Sequence, residues 1–63
     1  MKTVHIFIDG DYPVELRQAA SGRFTVAYGK QIARNLSYAE AASEYGQCVM
    51  HSLRCAGLLD AGV

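Results

Sequence analysis

SYAEAASEYGQCVMHSLRCAG, residues 37–57, is the stretch whose reading decides the fold. Ser37 and Glu40 stand three apart, the spacing of a capping box in which the serine hydroxyl accepts a free amide and the glutamate reaches back. At the far end Gly57 can take the left-handed conformation that stops a helix, with Leu58 folding back onto Leu53. These signals predict one helix over about residues 38–56, roughly 28 Å long. That length crosses a small sheet from end to end.

The residues before it read as strands. KTVHIFI (2–8) alternates, with Val4, Ile6 and Ile8 on one side and Thr3, His5 and Phe7 on the other, the period of a β-strand. Asp-Gly turn chemistry follows, then YPVELR alternates again through Tyr12, Val14 and Leu16. A three-residue loop over 9–11 pairs Ile6 with Val14 and Val4 with Leu16, placing every large apolar residue on one face. A short helix over DYPVELRQAASG competes for this segment, with Asp11 as N-cap and Gly22 past its end. RFTVAY (23–28) is a strand with Phe24, Val26 and Tyr28 on one face. Gly29-Lys30 suits a tight hairpin, and QIARN (31–35) is an edge strand protected by its cations. The expected class is α+β: one domain, residues 1–63, with a β-meander of three to four antiparallel strands followed by a C-terminal helix packed on the sheet.

The helix is apolar over nearly half its circumference, wider than the stripe of roughly 100° that one sheet requires. Tyr38, Tyr45, Val49 and Leu53 are expected to face the sheet. Ala39, Ala42, Gly46, Met50 and Leu53 continue the sector in steps of three and four and form a second ridge. An interior glycine costs about 1 kcal/mol relative to alanine. Either Gly46 clears space for Phe7 or Tyr28 of the same chain, or it lets another helix approach. The second reading makes this ridge a homodimer contact or a docking surface for another protein.

Cys48, His51 and Cys55 lie within about 60° of one another on the helix. Thiolate and imidazole are zinc ligands, yet structural zinc takes four ligands, usually from two separated pairs, and this chain has no CxxC knuckle. A nucleophilic thiol needs a base and an orienting partner, and a helix interior supplies neither a helix N-terminus nor an oxyanion hole. The reading is no metal, no cofactor and no catalytic residue, with the two cysteines as small fillers and His51 solvated. Seven residues apart on one helix, the cysteines sit roughly 10.5 Å apart along the axis, too far to bridge. A reducing, cytoplasmic setting fits.

Composition narrows the partners. Just over half the residues are hydrophobic, rich for a chain whose size buries only about 60% of its unfolded surface. The formal charge is zero, which disfavours a dedicated polyanion binder. Arg17, Arg23, Lys30 and Arg34 nevertheless form an acid-free basic run, the candidate contacts for nucleic acid. The N-terminal apolar run, broken by His5 and Asp9, does not read as a secretory signal, and no segment reaches the roughly 20 apolar residues of a membrane span.

One stretch resembles a known family. Leu36, Ser37, Glu40, Ala41, Ala42, Gly46, Leu53, Gly57 and Leu59 are similar to the opening of an excisionase or MerR-type helix-turn-helix, covering about a third of the chain. The resemblance implies a DNA-binding regulator. QCVMHS after Gly46 departs from it, because the family places polar turn residues and a new N-cap there. The leading expectation is a small non-catalytic interaction protein, an inhibitor, adaptor or regulator that forms a homodimer or binds another protein. In size and economy it is similar to bacteriophage accessory proteins, including anti-CRISPR inhibitors. Nucleic-acid binding is the alternative.

Overall fold

The computed structural model describes residues 1–59. Four strands, β1 (Lys2–Phe7), β2 (Val14–Gln18), β3 (Phe24–Tyr28) and β4 (Gln31–Leu36), precede one helix, α1 (Tyr38–Cys55). The strands form a single antiparallel sheet in the order β1-β2-β3-β4. This is the expected meander with its C-terminal helix packed on one face. Residues 14–18 are strand, so the competing short helix does not form. No helix among the described residues is long and apolar enough to cross a membrane.

The helix ends follow from sequence chemistry. Ser37 Oγ accepts the Glu40 amide at 3.2 Å, and Glu40 Oε1 accepts the Ser37 amide at 2.9 Å. Gly57 turns left-handed at φ 76°, its amide bonds the Arg54 carbonyl, and the Leu58 amide returns to the Leu53 carbonyl at 3.0 Å. These two bonds make a Schellman-type ending, which forms readily where glycine relieves the Cβ clash of the left-handed residue.

The β1–β2 register differs from the sequence expectation. Phe7 pairs with Val14, Ile6 with Glu15 and His5 with Leu16, while Val4 sits in a bulge between Thr3 and His5. His5 and Phe7 therefore share the helix side with Leu16 and Val14, and Ile6 turns to the opposite face. The cause lies in the connection. It runs over residues 8–13 instead of a tight turn, because Gly10 and Asp11 are drawn to the helix at Ser52.

Val14, Val26 and Cys48 form the buried core, with Phe7, Leu16, Tyr28, Leu36, Tyr45 and Val49 packed around them. The helix approaches through small side chains: Ala41, Cys48 and Ser52 are its buried residues. Tyr38, expected on the sheet, is 79% exposed. Tyr45, Val49 and Leu53 flank the contact line half-buried. Small residues at the line of closest approach let the backbone sit down on the sheet, which turns the larger ones to the sides.

Candidate functional site

A polar knot fastens the β1–β2 loop to the last turns of α1. Asp11 Oδ1 accepts from Ser52 Oγ at 2.9 Å, Tyr28 Oη at 3.0 Å and the Tyr12 amide at 2.7 Å. Ser52 is fully buried, and its single hydroxyl proton also has the Tyr12 carbonyl at 2.9 Å. His51 Nδ1 lies 3.0 Å from Tyr28 Oη. With the tyrosine proton directed to Asp11, His51 Nδ1–H is the donor. Partial loss of water pushes the Asp11 carboxyl up, but the bonds from Ser52, the Tyr12 backbone and Tyr28 outweigh it and leave it below the usual range. Burial, together with Asp11, pushes the Tyr28 hydroxyl up and keeps it protonated. A second pair, His5 Nδ1 and Tyr45 Oη at 2.7 Å, ties β1 to the helix. Sequence reasoning missed Gly10, Asp11, Tyr28 and Ser52 as a group; only the Asp-Gly-Asp run hinted at a special loop.

The structure sets buried Cys48 apart from His51 and exposed Cys55, which stay together. Cys48 is buried, and its thiol meets Glu44 Oε2 at 3.5 Å. Burial pushes that thiol up to about 11, with Glu44 adding to the shift. Cys55 is exposed, 3.7 and 3.8 Å from the two ring nitrogens of His51. Both cysteines are free thiols. Among the described residues no three His, Cys, Asp or Glu side chains gather as a metal would require.

The basic residues do not converge either. Arg17 donates to Glu15 Oε1 at 2.7 Å, and Arg23 Nε donates to Asn35 at 3.2 Å. Lys30 occupies the β3–β4 turn at the opposite end of β3 from Arg23, and Arg34 lies on the edge strand β4.

Among the described residues, two broad surfaces have nothing packed on them. On the sheet face away from α1, the register lines up Ile6, Glu15, Ala27 and Ile32 in one row across all four strands. Ile6 and Ile32 at its ends are each 48% exposed, as is Val4 in the neighbouring bulge. Glu15 accepts from both Arg17 and Thr3, so the row is electrically quiet. Phe24 and Tyr28 project to the helix side with Val26, so the open face lacks the aromatic platform on which nucleic-acid bases stack. On the helix, Ala39, Ala42, Gly46 and Met50 are exposed and Leu53 is half-buried. A Cβ placed on Gly46 would meet nothing within 4 Å, so this glycine makes no room for Phe7 or Tyr28. The helix also runs unbroken through Gly46, without the turn that a helix-turn-helix would place there.

The chain matches no protein-family model, no curated protein and no solved structure.

Proposed function

We propose that the chain is a small non-catalytic binding protein that acts by occupying a surface of another protein, as an inhibitor, adaptor or regulator. The observation that carries this reading is the uncovered row Ile6–Glu15–Ala27–Ile32, whose two isoleucines stand half in water on an otherwise complete sheet. Large apolar side chains left half in water on an open sheet face, at Ile6, Ile32 and neighbouring Val4, are the kind of exposed surface that marks an interaction site. The carboxylate within the row is already paired with Arg17, so covering the row leaves that charge with its partner. Strand addition at the edges is disfavoured, because bulges interrupt both β1 at Val4 and β4 before Leu36, and bulged edges pair poorly with a new strand. The face, rather than an edge, is the docking element.

The test uses the full chain as immobilised bait in a bacterial lysate, beside an Ile6→Asp/Ile32→Asp variant checked for native circular dichroism. A protein retained by the wild type at high salt and lost by the folded variant supports the reading. Equal retention by both chains, or no retention at all, overturns it.

A further inference from the structure

We infer that two copies of this chain pair through α1 as an antiparallel two-fold helix pair, with the axis passing at Gly46. This goes beyond the reading of the sheet face and does not depend on it. The ridge on α1 is Ala39, Ala42, Gly46 and Met50, all exposed, continued by half-buried Leu53. Its steps average 3.5 residues, the spacing that keeps a seam in contact with a second helix at a shallow crossing angle of about 20°.

The occupant follows from how size is distributed along that ridge. Ala42 and Met50 stand four residues before and after Gly46, and Ala39 and Leu53 stand seven before and after it. An antiparallel two-fold therefore sets Met50 of each copy against Ala42 of the other, and Leu53 against Ala39. Each large side chain meets a small one, and glycine meets glycine at the centre, where the backbones come closest. A parallel pair would set Met50 on Met50 and alanine on alanine, leaving clashes at one end and gaps at the other. The ridge is complementary to itself in one orientation only, as an isologous contact requires.

Charge agrees with size. Arg54 and Glu40 lie on the same flank of the ridge, eight residues after and six before Gly46. In an antiparallel pair each flank faces its own copy, so Arg54 reaches Glu40 of the second copy twice across the axis. One Glu40 oxygen is held by the Ser37 amide, and the other remains to accept Arg54. A shallow groove beside the ridge is lined by its Ala42, Gly46 and Met50 together with Ser43, Gln47, His51, Arg54 and Leu59. Ala41, Cys48 and Ser52, which rest on the sheet, lie on the opposite side of α1. The assembly is thus sheet, helix, helix, sheet, with both open sheet faces turned outward and free.

Two measurements on the full chain test the pairing. In sedimentation equilibrium the wild type is expected at twice its 6.9 kDa mass. Gly46→Leu, whose Cβ enters open space, keeps its circular dichroism but dissociates at least tenfold more readily. Arg54→Glu also weakens the pair, and adding Glu40→Gln, which preserves the capping acceptor, recovers part of the loss. Orientation is read by cysteine cross-linking in a Cys55→Ser background with a mild oxidant. Gly46→Cys forms a disulfide between copies, whereas Ala39→Cys does not, because its two sulfurs sit roughly 21 Å apart along the axis. A monomer mass at the highest soluble concentration overturns the inference, and so does cross-linking through Ala39→Cys.

Discussion

Gly10 packs directly on Ser52: a Cβ built on the glycine would lie 2.0 Å from the serine Oγ, 2.7 Å from its Cβ and 2.8 Å from its carbonyl carbon. Here an absent side chain is what brings a loop and a helix into hydrogen-bonding range. The closeness lets the Asp11 amide donate to the Ser52 carbonyl at 3.2 Å and the Ser52 hydroxyl return to Asp11. Gly10→Ala is expected to cost about 1–3 kcal/mol, the range of an overpacked contact, since the obstruction includes backbone that cannot swing aside. A urea midpoint unchanged from wild type would show that the loop is not seated on the helix.

The Glu15 carboxyl offers a pH test. Hydrogen bonds from Arg17 and then Thr3 hold it down from 4.5 to about 2, against a smaller opposing effect of lost water. The unfolded chain takes up this proton near 4.5, while the folded chain resists until about 2. The contribution is therefore complete above the unfolded value and fades as pH falls through that window. Urea midpoints measured across it should fall less steeply for Glu15→Gln than for wild type. Some slope will persist, because Asp11 and Glu40 are also held below their ordinary values. Parallel curves for the two chains would contradict the ion pair.

The two thiols should differ sharply in reactivity. Cys48 is buried and its thiol is pushed up to about 11, whereas Cys55 is exposed. Because the thiolate is the nucleophile, iodoacetamide at about pH 8, just below an ordinary thiol's value, should label one cysteine per native chain. After denaturation it should label two. Peptide mapping that finds Cys48 modified as fast as Cys55 in the native protein would refute the buried placement.

Local chemistry made part of this architecture readable in advance. The Ser37–Glu40 box, the Gly57 ending, the Gly29-Lys30 hairpin and the β3 alternation each depend on residues within a few positions of one another. The β1–β2 register did not yield to the same reasoning. Period-two alternation marks which residues share a face but not which face, and the face was set by Gly10 meeting Ser52, forty-two residues later in the chain. The helix contact line escaped for a related reason. Hydrophobicity favoured Tyr38, whereas close approach favoured Ala41, Cys48 and Ser52, small residues that score weakly as core. The ridge around Gly46 was visible because a helical glycine stands out against its cost. The row Ile6–Glu15–Ala27–Ile32 was not, since it exists only once the register is known.

Gly46→Ala separates the effect of this glycine within one chain from its effect in the proposed pair. Glycine in a helix interior is less stable than alanine by about 0.5–1 kcal/mol, because it loses more backbone freedom on folding. Nothing within 4 Å would resist the added methyl group. At dilutions where the chain is monomeric, the variant should therefore unfold at a higher urea concentration than wild type. In the proposed pair the same methyl groups would face each other at the two-fold axis and hold the helix axes apart, so that pair should dissociate several-fold more readily by sedimentation. The two effects have opposite signs, which no purely internal role for Gly46 can produce. A lower midpoint in the dilute variant would mean that the glycine has a neighbour within its own chain.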